Sequence, residues 1–352
     1  MSKLVFRVTR FALIPAMCFF AGCATKLTTT VDMPAKNGNV INYKTVAVFP
    51  FDTSRRGSSD YSGDLEAVIV SAKAGEKTFF TVVERSKIDT VMKELNFQMS
   101  VADPDSMVEM GKQLGVEAMW FGHSDRKYDE SSYEEGRRKC DKDGKNCQDY
   151  KVRCVQKTLT LNVNPRLVST STGKVVYSNL LTDTISVGRC QDEDPVSENQ
   201  LEALAKQNIL TAFRKDIAPY AEDVKLELMS SKDGITDDTS KDKLKEGIRL
   251  AKDKRLDRAC ETWNTILEKN PEAVAPAYNY ALCLELAGEY QKAIDILEKI
   301  EKVLPPSGFF GNTLSMFSIK STQSELVIGA IERNKANIEN REKLKKQMST
   351  VQ

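Results

Sequence analysis

The sequence predicts an α/β sandwich with a mixed sheet, followed by a smaller all-α domain. Three observations carry this. Short apolar runs alternate with helix-periodic stretches between Thr45 and Tyr220. Two alternating apolar/polar runs inside that region flank a Thr-Ser-Thr-Gly turn signal. Beyond Ser240 only helical spacing remains, and it repeats at a fixed period. At 352 residues the chain is long enough for two domains.

Thr45 to Phe51 (TVAVFPF) is an apolar run closed by polar, Gly-containing sequence, which suits a buried strand. Leu65, Val68 and Ile69 predict a helix over Tyr61–Lys73, and Phe79 to Val83 (FFTVV) predicts a second strand. A helix then runs to Leu95, with Ser86 as its expected N-cap and Ile88, Val91, Met92 and Leu95 on one face. Asp105–Leu114 is a further helix, and Gly115–Gly122 reads as a strand entering the sheet. The alternating runs Lys157–Ser169 and Lys174–Val187 form a hairpin around Thr172. Asn199 to Tyr220 closes the domain as an amphipathic helix carrying Leu201, Leu204, Ile209 and Phe213. The stretch Asp125–Arg153 is so rich in Asp, Glu, Lys and Arg that it reads as a solvated insert.

Taken in order, VAVFPF, FFTVVERSKIDTVMKEL, LGVEAMWFG and RLVSTSTGKVVYS resemble the periplasmic domain shared by CsgG and LpoB lipoproteins. The resemblance covers Thr45 to Met229, and its most specific part is the Val83-Glu84-Arg85 strand-to-helix step with Ile88 and Leu95. It implies an envelope protein that binds other proteins: a peptidoglycan synthase activator, an export component or a flagellar accessory. It also implies a second reading, an oligomeric secretion channel in the outer membrane. Such a channel needs strands with one lipid-facing apolar side, which the charged insert does not offer. The Lys157–Val187 hairpin does alternate, as a strand pair packed on helices also would.

The first residues are read separately. Lys3, Arg7 and Arg10 precede the apolar stretch Phe11–Phe20, which is too short to span a bilayer, and Ala21-Gly22-Cys23 follow at once. Small residues fit the narrow cleft of a signal peptidase, and a thiol is the side chain best suited to accept a lipid. Phe20, Ala21, Gly22 and Cys23 resemble the lipobox of bacterial lipoproteins, with Phe20 where Leu is usual. The resemblance implies acylation at Cys23. With Ala24 rather than Asp next, it implies an anchor in the outer membrane and a body facing the periplasm. Ala24–Tyr43, rich in Thr, Asn and Gly, then reads as a tether. The expected organisation is leader 1–22, lipidated tether 23–43, α/β domain 44–229 with its insert at 125–153, linker 230–240 and helical domain 241–350.

The net charge of +1 becomes −2 once the three leader cations are removed. Such a balance gives no reason to expect nucleic acid as a partner. Of eight cysteines, Cys18 lies in the leader and Cys23 in the anchor. The other six form an even set in an oxidising compartment. Cys154 and Cys190 each lie 18 residues from Thr172, so a hairpin pivoting there sets them opposite one another as a disulfide. Cys140 and Cys147 are then expected to pair within the insert, while Cys260 and Cys283 read as small buried thiols.

In the helical domain Gly247 and Ala281, Ala259 and Ala293, and Pro271 and Pro305 are each 34 residues apart. This period resembles that of tetratricopeptide repeats (TPR), with small residues where paired helices approach and a proline ending each unit. Two units, Ser240–Ala273 and Val274–Ser307, are expected, with a capping helix over Glu325–Met348 and a degenerate third unit at Gly311–Ser321. By position Leu244, Ile248, Tyr278, Asn279 and Leu282 line the concave face. They serve there either a partner peptide, whose backbone Asn279 would hold, or the core.

No catalytic motif emerges. His123 is the only histidine and has no nucleophile motif beside it. No phosphate loop, dinucleotide fingerprint or zinc spacing is present, and Asp141–Asn146 lacks the alternate acidic positions of a calcium loop. The sequence predicts a protein without enzymatic activity, cofactor or metal. Its expected partners are envelope proteins, the membrane through its anchor and further copies of itself.

Overall fold

The computed structural model describes residues 25–54, 57–74, 76–95, 104–304 and 323–351. The leader, the lipidation motif Phe20–Cys23 and the expected third unit at Gly311–Ser321 lie outside the described residues. The chain forms two compact units. One holds residues 30–224 and 336–352, the other 225–335 and the residues before Thr30.

The α/β unit is built on a six-stranded mixed sheet. Its strands are β2 (Thr45–Val48), β5 (Thr81–Val82), β6 (Ala118–Lys139), β7 (Gln148–Ser169), β8 (Val175–Ser178) and β9 (Leu181–Cys190). The order is β5-β2-β6-β7-β8, and β9 continues along the same edge of β7 as β8. β2 runs parallel to β5 and β6, whereas β6, β7, β8 and β9 are antiparallel. Two minor strands, β3 (Lys73–Ala74) and β4 (Lys77–Thr78), pair with each other.

The apolar runs of β2 and β6 are continuous because both faces of this half of the sheet are covered. Val46, Val48, Ala118 and Trp120 enter one core with α1 (Ser62–Ser71) and α4 (Glu198–Ile217). Ala47, Phe49, Met119 and Phe121 point the other way, onto α2 (Arg85–Glu94) and α3 (Pro104–Leu114). Trp120 meets Phe213 of α4 edge-on at 5.2 Å and Tyr177 of β8 at 5.4 Å, while Phe49 and Phe121 stack at 4.8 Å on the opposite face. Where β6 passes Phe51 only Gly122 fits, since a Cβ there would overlap the aromatic ring.

Helix α4 shows how sequence sets position. Ser197 and Gln200 form a capping box at its start, and Leu201, Ala205, Ile209 and Phe213 recur every four residues to face the sheet. Helix α2 differs from expectation. Its N-cap is Glu84, so Ser86 lies inside the helix. Arg85 turns back onto α1, donating to Glu66 at 2.7 Å and to Ser62 at 3.0 Å, which ties the strand-to-helix step to its neighbour.

The stretch expected as a tether is instead folded. Lys26–Met33 forms β1 and pairs with β10 (Tyr220–Glu227), and a 3-10 turn at Val40–Asn42 buries Val40 and Ile41. The alternation of β1 is weak in KLTTTVDM: Leu27, Val31 and Met33 share the half-buried face, but Thr29 interrupts it and none of the three is fully buried. The partner strand, not side-chain burial, is what orders it.

The helical unit contains α5 (Asp238–Lys252), α6 (Leu256–Lys269), α7 (Val274–Leu286) and α8 (Tyr290–Glu301). A fifth helix, α9 (Gln323–Met348), supplies residues to both units. Asp237 caps α5 by accepting from the Ser240 N–H at 2.8 Å. Gly247 lets Trp263 of α6 lie against α5, where a Cβ would strike the indole. Ala259, Trp263 and Ile266 make the buried stripe of α6, and α7 is buried over most of its length. The linker is not bare: Ile235 within it is buried, as are Leu228 and Met229 just before it, and Gly234 (φ +76°) passes close to Ala273.

Candidate protein-binding ribbon and helical unit

The segment expected as a solvated charged loop is an extension of the sheet. β6 and β7 pair without a break from Ala118–Ser169 to Lys139–Gln148. Strands of 22 residues span roughly 70 Å. β9 leaves them at Cys190, so Glu134–Lys139 and Gln148–Arg153 continue as a two-stranded ribbon with both faces open to solvent.

A two-stranded ribbon has little stability of its own, and the sequence supplies two covalent staples. Cys154 and Cys190 are bonded across β7 and β9 where the third strand ends. Cys140 and Cys147 are bonded at the tip, around the Asp143-Gly144 turn. The 1:1 register expected around Thr172 is present from Leu167–Tyr177 to Cys154–Cys190, with a bulge between Leu167 and Val168 absorbing the turn. A third bond joins Cys260 of α6 to Cys283 of α7. This corrects the reading of those two as free thiols: adjacent helices bring their sulfurs together.

Charges along the ribbon pair across it. Arg138 makes a two-point contact with Asp149 at 2.7 and 3.0 Å, and Lys151 reaches Glu134 at 2.9 Å. The Arg138 hydrogen bonds hold the Asp149 carboxyl below the usual carboxylate range. Arg137 faces Glu135, Asp192 and Glu193, and the Glu193 carboxyl is lowered chiefly by the Cys190 N–H that it accepts. Pairs this exposed add little stability; they fix side chains in register. One face carries Tyr133, Arg137, Tyr150 and Val152, with the two tyrosines 41% and 42% exposed. Exposed tyrosine beside arginine is the composition of protein-contact surfaces.

Nearer the body the same face is a ladder of small polar groups. Thr158 meets Ser186 at 2.7 Å, Thr160 meets Thr184 at 3.1 Å, and Thr182 donates to Asn162 at 2.7 Å. The opposite face of these strands carries Leu159, Leu161 and Val163 into the core under α4. Neither face of the distal strands is apolar.

Sites expected from the sequence fall as follows. Leu244, Tyr278, Asn279 and Leu282 are buried and Ile248 is half-buried. Asn279 does hold a peptide backbone, but it is the chain's own. Its Oδ1 accepts from the Met229 N–H and its Nδ2 donates to the Met229 carbonyl, both at 2.9 Å. Of the two alternatives for these residues, the burial of those four and the bonds of Asn279 to Met229 fit the core. Also in this unit, Glu285 accepts two bonds from Arg333 at 2.6 and 2.8 Å and a third from Asn334.

His123 pairs with Asn164 in the ladder and bridges to Asp52, as a residue of the sheet. Asp141 turns its carboxylate inward to the N–H groups of Asp143 and Lys145 and to Asn146, as the cap of a turn. Glu135 lies near Cys154 and Cys190, but sulfurs joined in a disulfide offer no thiolate to a metal. A cavity of about 460 Å³ under the distal sheet is lined by Arg153, Val155, Lys157, Val187 and Arg189, and His123 is not part of it.

The fold and the ribbon define a class: a mixed-sheet α/β domain whose central antiparallel pair extends beyond its helical layers. Residues 40–191 match the family described as curli production assembly/transport component CsgG, and the chain carries a CsgG family domain over those residues. The match takes in β2 to β9 and the whole ribbon, and ends before α4 and the helical unit. No curated protein is significantly similar to the chain.

Proposed function

We propose that this protein is an outer-membrane-anchored periplasmic lipoprotein that acts without catalysis, as a scaffold or activator in assembling the cell envelope. It works by binding other proteins. The observation that carries the reading is the ribbon: a stapled strand pair, charged on both faces, with Tyr133 and Tyr150 exposed on the same face as Arg137. The CsgG family domain supports an envelope role, and the lipobox-like Phe20–Cys23 supports the anchor. In this reading the helical unit is a short TPR-like array in which Asn279 is taken up by the chain's own Met229. Partners of this kind include a peptidoglycan synthase and export or flagellar machinery.

The runner-up is an oligomeric secretion channel. It is favoured by the family's description as a transport component and by the length of β6 and β7. It is opposed by side-chain chemistry, since lysine or arginine at the lipid midplane of a barrel costs about 2–4 kcal/mol each. Cys23→Ala tests the anchor: the variant is expected in the soluble periplasmic fraction, and its persistence in membranes contradicts the reading. Replacing 134–153 by a two-residue turn tests the ribbon. The variant is expected to stay folded and anchored and to lose its envelope partner in cross-linking, whereas retained cross-links contradict it.

A further inference from the structure

From Thr25 onward the described chain is built into the fold. The Thr25 carbonyl already accepts the Leu228 N–H at 2.8 Å. Lys26 begins β1, and Thr30 donates to Asp223 of β10 at 2.7 Å. Ala35, 4% exposed, is held at both backbone groups by Gln347, which accepts its N–H at 2.8 Å and donates to its carbonyl at 3.2 Å. The N–H groups of Lys36 and Asn37 donate to the carbonyls of Lys215 and Asp216 at 3.0 and 2.9 Å. A free tether of some 20 residues would give a root-mean-square reach of about 25 Å and a fully extended reach of roughly 70 Å. Between Cys23 and Thr25 there are only two Cα–Cα steps, about 7 Å.

We propose that the lipid surface itself is the partner of the edge where β1 begins and β10 ends, so that the fold sits on the headgroups rather than ranging through the periplasm. This rests on the acylation of Cys23 proposed above. The chemistry of the edge agrees: Lys26, Thr28 and Lys225 are exposed there, and lysines close to anionic headgroups are attracted to them. The stretch after Thr25 is then no leash, which reverses the expectation from the Thr- and Asn-rich sequence.

The test uses the full-length lipidated protein on supported bilayers of phosphatidylethanolamine and phosphatidylglycerol. Neutron reflectometry reads the water layer between headgroups and protein. A layer no thicker than about 10 Å is expected, widening by about 25 Å when 20 Gly/Ser residues are inserted between Ala24 and Thr25. Trypsin is expected to leave Lys26 and Lys36 uncut while the protein is bound. A thick water layer in the unmodified protein, or rapid release by cleavage at those two lysines, overturns the inference while Cys23 remains acylated by mass spectrometry. Absence of the acyl chain and of any bound layer overturns the anchor and this inference together.

Discussion

Asn279 makes a pair of hydrogen bonds that no other residue type would reproduce, one accepted from and one donated to the Met229 backbone, in a fully buried position. Asn279→Ala leaves both backbone groups without a partner and removes side-chain volume. A loss of about 2–4 kcal/mol in urea unfolding of the full chain is expected, and a change below half a kcal/mol would show that water replaces the side chain. Gly122→Ala sets a methyl group into the Phe51 ring and is expected to cost about 1–3 kcal/mol. Asp60 gives a pH signature. Burial disfavours its ionisation, but hydrogen bonds with Ser62, including its backbone N–H, and from the Phe51 N–H, with Arg85 nearby, outweigh that and hold its pKa below the usual value. A carboxyl depressed in the fold adds stability above its unfolded pKa of about 3.9 and loses it as pH falls through the lower folded value. Asp60→Asn is therefore expected to flatten the stability profile below about pH 4, read by denaturation at pH 2 to 6. An unchanged acid slope would assign the effect elsewhere.

Elements were legible where side-chain periodicity is strong. TVAVFPF, the Ile88–Val91–Leu95 face and the Leu201–Phe213 stripe each announce their structure, and the distance of Cys154 and Cys190 from Thr172 gives their pairing. The ribbon reads as a loop because charge dominates both its faces, and its few apolar members, Tyr150 and Val152 among them, are too sparse to mark a strand. Its one readable signal was the Asp143-Gly144 turn with Cys140 and Cys147 placed symmetrically about it. β1 reads as a tether because Thr29 breaks the Leu27–Val31–Met33 face and its partner strand lies almost 200 residues away. The staples should differ in weight. By chain entropy, removing Cys154–Cys190 with its separation of 36 costs about 4 kcal/mol. Removing Cys140–Cys147 with its separation of 7 costs about 2 kcal/mol, confined to the exposed ribbon. Paired Cys→Ser variants compared in guanidinium should preserve that order, and hydrogen exchange should show the tip variant opening only within 134–153.

At the scale of the whole chain, the described residues form two units with different bonding logic. The α/β unit has two cores on opposite faces of one sheet. The helical unit is held by a disulfide, the buried Asn279–Met229 hydrogen bonds and the Glu285–Arg333 pair. Both cores stop short of the distal strands of β6 and β7, and in the proposed reading that bare, charged extension is a binding arm rather than a membrane-spanning hairpin. The most direct test is the conductance of the full-length, detergent-extracted protein reconstituted into planar bilayers. A binding arm predicts silent membranes at any voltage and protein concentration at which the protein is shown to be incorporated. Discrete single-channel steps that vanish when 134–153 is replaced by a short turn would contradict it and restore the channel.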